Sequence, residues 1–131
     1  MDCSEIRRAI CELAKGCVNN VPYKWGASSL DKSIGTDCSG FTKALYAQFG
    51  IDLPRKSYTQ GQNGVKVSRE AARPGDLMVW NHKPGDDVGH VAIYIGNGMA
   101  IHAPGKGKFV TYKQGENSGG KQFLGYYSFF D

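Results

Sequence analysis

The stretch that decides the fold is His90-Val91-Ala92-Ile93-Tyr94-Ile95-Gly96-Asn97-Gly98-Met99-Ala100-Ile101-His102. Its two apolar runs flank a glycine-rich turn, which is typical of a β-hairpin. Further short apolar runs predict three more strands, at 77–80, 109–112 and 123–129. Consecutive strands joined by short turns form an antiparallel sheet.

The register of this hairpin decides whether its two histidines meet. If only the last two residues of Gly96-Asn97-Gly98 form the turn, the histidines fall on opposite faces of the sheet. If all three form the loop, with the last glycine in the left-handed conformation, Ile95 pairs with Met99. His102 then lies diagonal to His90 on the same face. We predict this second register.

Two helices are predicted ahead of the strands. Asp2 and Glu5 form a capping box for a helix over about residues 3–17, whose apolar stripe is Cys3, Ile6, Ile10, Leu13 and Cys17. Thr36 or Asp37 caps a second helix that opens at Cys38, with an inner stripe of Phe41, Ala44, Leu45, Gln48 and Phe49. Helices first and strands afterwards predict an α+β fold, with the helices packed on a five- to six-stranded antiparallel sheet.

Length and charge limit the possible functions. A chain of 131 residues is expected to form one domain, 1–131. The net charge is +4, and no basic run is longer than Arg7-Arg8, which argues against nucleic-acid binding. No apolar run is long enough to span a membrane. Residues 1–5 lack the features of a signal peptide, so a cytoplasmic protein, another export route and an excised domain all stay open.

The four cysteines do not predict disulfides or a structural zinc site. Cys3, Cys11 and Cys17 fall on one predicted helix. The closest two are about 9 Å apart along the axis, beyond the ~7 Å reach of a disulfide. Their spacings match no structural zinc pattern. We interpret these three thiols as small apolar side chains.

Cys38 is the candidate nucleophile, because it opens the second predicted helix. The positive end of the helix dipole and the unpaired N–H groups of the first turn both favour a thiolate. The neighbouring Asp37 opposes this, so a histidine partner is needed. In the predicted register His90 is the base and His102 orients its ring, while the N–H of Cys38 is an oxyanion donor.

Other conspicuous residues are interpreted as structural. His82 lies in a polar loop and is expected to be solvated. The larger aromatic side chains are expected in the core: Trp25, Trp80, Tyr126, Tyr127, Phe129 and Phe130.

Seven segments, in order from Pro22 to about Tyr127, carry a family resemblance: Pro22-Tyr23-Lys24-Trp25-Gly26, Asp37-Cys38-Ser39-Gly40-Phe41, Leu53-Pro54-Arg55-Lys56-Ser57, Gln60-Gly61, Arg73-Pro74-Gly75-Asp76-Leu77, Gly89-His90-Val91-Ala92-Ile93-Tyr94-Ile95-Gly96-Asn97-Gly98 and Ile101-His102-Ala103-Pro104. Together they resemble the NlpC-type peptidoglycan hydrolases, which are papain-like cysteine peptidases of the cell wall. The chain departs from that family in the loop 81–89 and in its cysteine-containing first helix.

The resemblance implies a papain-like fold and a catalytic triad, which falls on Cys38, His90 and His102. It also implies that the Tyr23 hydroxyl lies near the thiol and helps to polarise the substrate carbonyl. Three further residues are implied to hold the substrate stem or to support the site, namely Asp37, Ser39 and Arg55. The implied reaction is hydrolysis of the amide between D-γ-glutamyl and the diamino acid of a stem peptide, with no cofactor and no metal.

Three alternatives stay open. An amidase with the same triad would release the stem from muramic acid. One cysteine and two histidines are also a known zinc set, so a zinc hydrolase is a second alternative. A wall-binding domain without activity is the third. The expected partners are peptidoglycan stem peptides, and we expect a monomer that acts on the cell wall as a secreted, periplasmic or injected lytic protein.

Overall fold

The computed structural model describes residues 2–85, 89–117 and 119–130. Two α-helices precede the sheet, α1 at Cys3–Cys17 and α2 at Cys38–Ala47, and a 3-10 helix follows at Ser57–Asn63. The strands are β1 Val65–Val67, β2 Leu77–Trp80, β3 His90–Gly96, β4 Met99–His102, β5 Thr111–Gln114 and β6 Phe123–Ser128. All neighbouring strands pair antiparallel, in the order β1-β6-β2-β3-β4-β5. The predicted α+β fold with a five- to six-stranded antiparallel sheet is confirmed.

Helix α1 has its predicted bounds and cap. The Asp2 carboxylate accepts a hydrogen bond of 2.8 Å from the Glu5 amide. The predicted stripe is wrong at Leu13, which is 36% exposed, whereas Arg7 is buried. Arg7 reaches Asp76 at 2.7 Å, and this ion pair orients the helix more strongly than one leucine does.

Helix α2 packs its apolar side against the sheet. Its cap is Asp37, whose carboxylate accepts from the Gly40 amide at 2.8 Å. Phe41, Leu45 and Tyr46 are fully buried, and they anchor the helix on the core. Gln48 is exposed, so the predicted inner stripe of this helix is wrong at that position.

The sheet buries apolar side chains on both faces. One face packs under the helices through Val79, Val91, Ile93 and Ile101. The other face carries a second cluster, formed by Met78, Trp80, Ala92, Tyr94, Ala100 and Tyr126. Because side chains alternate along a strand, His90 and His102 belong to this second face.

The hairpin β3–β4 has the predicted register in its body but not the predicted loop. Ile93 pairs with Ile101, and Tyr94 pairs with Ala100. Continuing this register puts His102 opposite Ala92, as expected for a pair of histidines on one face.

The turn itself contains two residues, not three. Asn97 and Gly98 both have positive φ, 56° and 75°, so the turn is tight, and Gly96 pairs with Met99. A β-bulge between Tyr94 and Gly96 absorbs the extra residue and restores the body register. The hairpin therefore has the two-residue turn of the first alternative and the body register of the second.

Two elements were not expected and one is displaced. Strand β1 and the 3-10 helix have no counterpart among the predicted elements. The strand predicted at 109–112 is instead Thr111–Gln114. Within the described part of the chain, no helix is long and apolar enough to cross a bilayer.

Candidate active site

Cys38 is the first residue of α2 and is 7% exposed. Two residues on, Gly40 allows the loop before the helix to lie against it. A Cβ on Gly40 would clash with the Ala27 carbonyl and would stand 2.8 Å from the Ser28 Cα. The glycine of this motif therefore sets the close packing that positions the thiol.

An ion pair beside Cys38 organises the start of α2. Both carboxylate oxygens of Asp37 accept from the Arg55 guanidinium, at 3.1 and 2.9 Å. Arg55 also donates to the Ser39 hydroxyl at 2.6 Å. The second Asp37 oxygen accepts from the Gly26 amide at 2.9 Å as well. Asp37, Ser39 and Arg55 thus form one hydrogen-bonded cluster at the edge of the thiol.

The two predicted histidines are brought together. Nε2 of His90 lies 2.7 Å from Nδ1 of His102, with the rings edge to face. His90 is only 7% exposed. Among the described residues, Nδ1 of His90 has no hydrogen-bond partner, so this nitrogen is available for chemistry.

The environment keeps both histidines uncharged. Burial, then the neighbouring His102 and the cations Lys113 and Lys121, lower the pKa of His90 to about 3. Burial, then Lys113 and Lys108, lower the pKa of His102 to about 4. At neutral pH the pair is two neutral imidazoles joined by one hydrogen bond, and the lowered pKa makes each ring a weaker base than a free imidazole.

Burial works against the thiolate that the helix N-terminus favours at Cys38. Burial and the adjacent Asp37 raise the pKa of Cys38 to about 11, although the backbone amides of Ser39 and Val91 hydrogen-bond to the sulfur and lower it. The desolvation of a buried sulfur outweighs the helix N-terminus. The thiol is therefore neutral before substrate arrives, and it must lose its proton during attack.

Cys38 lies against the strand that carries His90. The Val91 amide, which reaches the sulfur, belongs to the residue directly after His90. Tyr23 approaches from the other side: burial, then the charges of Cys38 and Asp37, raise the pKa of its phenol. The thiol at the start of α2 thus lies near the start of β3, the strand that begins with His90.

A cavity of about 560 Å³ opens onto the thiol. Its walls come from five short segments, and its lining residues are Trp25, Gly26, Asp37, Cys38, Ser39, Arg55, Lys56, Ser57, Tyr58, His82 and Gly89. A cavity of this size accommodates a short peptide segment.

The lining includes three aromatic or histidine side chains that the sequence did not predict as part of the site: Trp25, Tyr58 and His82. Trp25 was expected in the core but is 68% exposed and forms a wall of the cavity. His82 is exposed, as expected, yet it also lines the cavity and packs edge-on against Tyr58 with ring centroids 5.6 Å apart. The alternation of apolar residues carries no signal for these positions, since they lie on loops and a 3-10 helix.

Gly89, which lines the cavity directly before β3, packs closely against its neighbours. A Cβ at this position would stand 2.6 Å from the Trp80 carbonyl oxygen and 2.9 Å from the Ser57 hydroxyl. Asp86 and Asp87, which the sequence placed in this loop, lie outside the described residues.

All four cysteines are free thiols. Among the described residues, no three His, Cys, Asp or Glu side chains gather around a point that could hold an ion. The described site thus contains a buried thiol, a hydrogen-bonded histidine pair and a cavity that opens onto the thiol.

Comparison with known proteins identifies relatives of this site and fold. The sequence profile of the NlpC/P60 family matches residues 20–126. A curated relative, gamma-D-glutamyl-L-lysine dipeptidyl-peptidase of Bacillus cereus, is 46% identical over 85 residues, which are 64% of this chain and 25% of that protein. The chain therefore spans about a quarter of that relative.

Solved structures agree in fold. An NlpC/P60 family protein from Bacillus cereus superposes with a TM-score of 0.80 at 34% identity, covering 95% of this chain and 40% of that one. The NlpC/p60 domain of the peptidoglycan hydrolase SagA superposes with a TM-score of 0.74 at 36% identity, covering 93% of this chain and 97% of that domain.

Proposed function

The chain belongs to the NlpC/P60 family, and on this premise we propose that it is a cysteine peptidase that hydrolyses peptidoglycan. Its substrate is the stem peptide, and the bond cut is the amide between D-γ-glutamyl and the diamino acid. Cys38, His90 and His102 form the catalytic triad, and the reaction needs no cofactor. The site of action is the cell wall.

One observation carries this proposal: the hydrogen bond of 2.7 Å between Nε2 of His90 and Nδ1 of His102. If Nε2 of His90 donates in this bond, its Nδ1 holds a free electron pair. Cys38 lies against the same strand, through the Val91 amide. A thiol beside a neutral imidazole that a third group orients is the arrangement used for nucleophilic catalysis.

The chemistry proceeds in two halves. Nδ1 of His90 takes the thiol proton while the Cys38 sulfur attacks the γ-carbonyl carbon of the glutamyl residue. The resulting tetrahedral intermediate collapses as His90 returns the proton to the leaving amine, which leaves a thioester. Water then attacks the thioester, with His90 as base, and frees the γ-carboxylate and the thiol.

The remaining site residues support these steps. The Cys38 amide is at the start of α2, where it has no acceptor within the helix, and it stabilises the oxyanion together with the Tyr23 hydroxyl. His102 fixes the tautomer of His90 rather than exchanging protons with substrate. The cluster of Asp37, Ser39 and Arg55 borders the cavity and contacts the stem.

The choice of bond rests on similarity. The Bacillus cereus relative is named for a γ-D-glutamyl-L-lysine bond. We extend this preference to the present chain, with diaminopimelate or lysine as the diamino acid. The net charge of +4 favours approach to an anionic cell wall.

The test is digestion of purified muropeptides, read by mass spectrometry. Wild-type protein is expected to release fragments with a new γ-carboxylate on glutamate and a new amine on the diamino acid. Cys38→Ala is expected to lose activity by at least about a thousandfold, with an unchanged far-UV circular dichroism spectrum.

Cys11→Ala is the matched control, because it removes another buried thiol, on α1 and away from the cavity. It is expected to retain activity. Full activity of Cys38→Ala would overturn the proposed nucleophile. Release of intact stems from muramic acid would show an amidase instead, and loss of activity in EDTA would show a metal hydrolase.

A further inference from the structure

A short segment after β5 covers the face of the sheet that carries the histidine pair. Lys113 lies with its ammonium 5.1 Å from the centre of the Trp80 ring and donates a hydrogen bond to the Asn117 carbonyl. The Glu116 carbonyl accepts from the Trp80 indole at 2.6 Å. These contacts fix the lysine against a fully buried tryptophan.

Trp80 connects this segment to the base. Its ring centroid is 5.4 Å from that of His90, and the His90 ring is 4.9 Å from that of His102. Trp80 is paired with His90 across β2 and β3. The ammonium of Lys113 and the imidazole of His90 thus both lie within 5.4 Å of the ring centre of one buried indole.

The strand register also brings Lys113 close to His102. His102 pairs with Thr111, and Lys113 pairs with Ala100, so Lys113 is the diagonal neighbour of His102 on one face. Diagonal neighbours on adjacent strands lie about 7–8 Å apart at their backbones. Lys113 is itself half-buried, and burial lowers the pKa of its ammonium. The electrostatic interaction of this ammonium with His102 therefore acts partly through protein, where it is screened less than in water.

We propose that Lys113 is a positioning residue for the reaction: its ammonium, held on the Trp80 ring and on the Asn117 carbonyl, adds to burial in disfavouring protonation of the His90–His102 pair. The inference rests on the proposed function, because it assigns Lys113 a role toward the proposed base. A base that stays neutral in mild acid allows the enzyme to work there, since only neutral His90 accepts the thiol proton.

The charges around the pair agree with this assignment. Lys113 contributes to lowering the pKa of both His90 and His102, whereas Lys121 affects the first and Lys108 the second. On the same covered side, the Glu116 carboxylate is bound by Arg69 and by the Tyr126 hydroxyl, which offsets its charge. Among the described residues, Lys113 is thus the cation that lowers the pKa of both imidazoles.

The experiment compares Lys113→Met with Lys113→Arg. Methionine keeps an apolar stem over Trp80 and removes the charge, while arginine keeps the charge and the stacking. Lys15→Met is the matched control, because Lys15 pairs with Glu12 on the exposed side of α1. The pKa of each imidazole is followed by NMR on histidine-labelled protein, with His82→Gln to assign the third ring.

Lys113→Met is expected to raise the pKa values of His90 and His102 by about half a pH unit or more, the effect of a unit charge at this separation in a partly buried site. Lys113→Arg and Lys15→Met are expected to leave both near the wild-type values. Unchanged titration of both rings in folded Lys113→Met would overturn the inference.

Stem-peptide hydrolysis provides a second readout. The acid limb of kcat against pH is expected to move upward in Lys113→Met and to return in Lys113→Arg, while KM stays constant. A shift of the NMR titration in a protein without any hydrolytic activity would contradict the proposed function and leave the charge effect of Lys113 established. An acid limb that stays in place despite shifted imidazoles would overturn the role of Lys113 in the reaction.

Discussion

Two arginine–aspartate pairs of this protein differ in what surrounds them. Arg7 and Asp76 lie 2.7 Å apart, and their side chains are 8% and 1% exposed. Arg55 and Asp37 lie 2.9 Å apart, but the Arg55 side chain is 40% exposed. The first pair is enclosed by protein, whereas the second borders the cavity of the candidate site.

The enclosed pair joins parts of the chain that are far apart in sequence. Arg7 extends from α1 and also donates to the Ser128 hydroxyl at 2.9 Å and to the Phe130 carbonyl at 3.2 Å. It thereby connects α1 with both β2 and the end of β6. The pair at the cavity instead connects the loop after α2 with the cap of that helix and with the loop before it, beside the thiol. The Arg7–Asp76 pair therefore stabilises the whole fold, whereas the Arg55–Asp37 pair holds the local geometry beside the thiol.

The largest expected effect comes from breaking the enclosed pair. Arg7→Met leaves the Asp76 carboxylate buried without its ion partner, and we expect the free energy of unfolding to fall by about 3–5 kcal/mol. Urea unfolding followed by circular dichroism measures this. Arg8→Met is the matched control on the next, exposed position of α1, and it should change stability by less than about 0.5 kcal/mol. Equal effects of the two variants would contradict the comparison.

A smaller and differently placed effect is expected at the cavity. Arg55→Lys keeps the charge but loses the two-pronged contact with Asp37, so the cap and the Ser39 hydroxyl are no longer held in one geometry. We expect kcat/KM for stem peptides to fall by about tenfold to a hundredfold, with stability close to that of wild type.

The control for this variant breaks another ion pair of α2. Lys43 lies 2.7 Å from Asp52, which is 94% exposed, and neither residue lines the cavity. Lys43→Met is expected to retain wild-type kcat/KM. If Arg55→Lys loses stability rather than activity, the distinction between the two arginine–aspartate pairs fails.

The smallest effect is expected at the exposed pair of Arg69 and Glu116. Hydrogen bonds from Arg69, then from Tyr126, lower the pKa of Glu116. The contribution of such a group is complete above the ordinary glutamate pKa and is lost as pH falls through the lowered value. Arg69→Met should lower the Tm by no more than about 3 °C near neutral pH, and the difference from wild type should shrink as the pH falls through the lowered pKa of Glu116. A difference that grows in acid would contradict this sign.

Features set by local sequence were predictable. The capping box at Asp2, the cap at Thr36 or Asp37 and the spacing of apolar residues predict both helices within a residue or two. The face shared by His90 and His102 follows from the period of two along a strand and one choice of register. These features depend on neighbours within a few positions of the chain.

Features set by distant contacts were not predictable. Strand β1 is three residues long and is recognised only by its pairing with β6. The exposure of Trp25 depends on where its loop lies relative to α2. The raised pKa of Cys38 depends on burial, which outweighs the favourable helix terminus that the sequence shows.

The β-bulge between Tyr94 and Gly96 has a consequence for how relatives of this site are recognised. It accommodates one surplus residue between a tight turn and the body of the hairpin. A shorter hairpin that lacks this residue and keeps the turn at Asn97-Gly98 would hold His90 and His102 in the same register. The count of residues separating the two histidines is therefore free to vary by one, and a search pattern with a fixed gap would reject chains whose sites are intact.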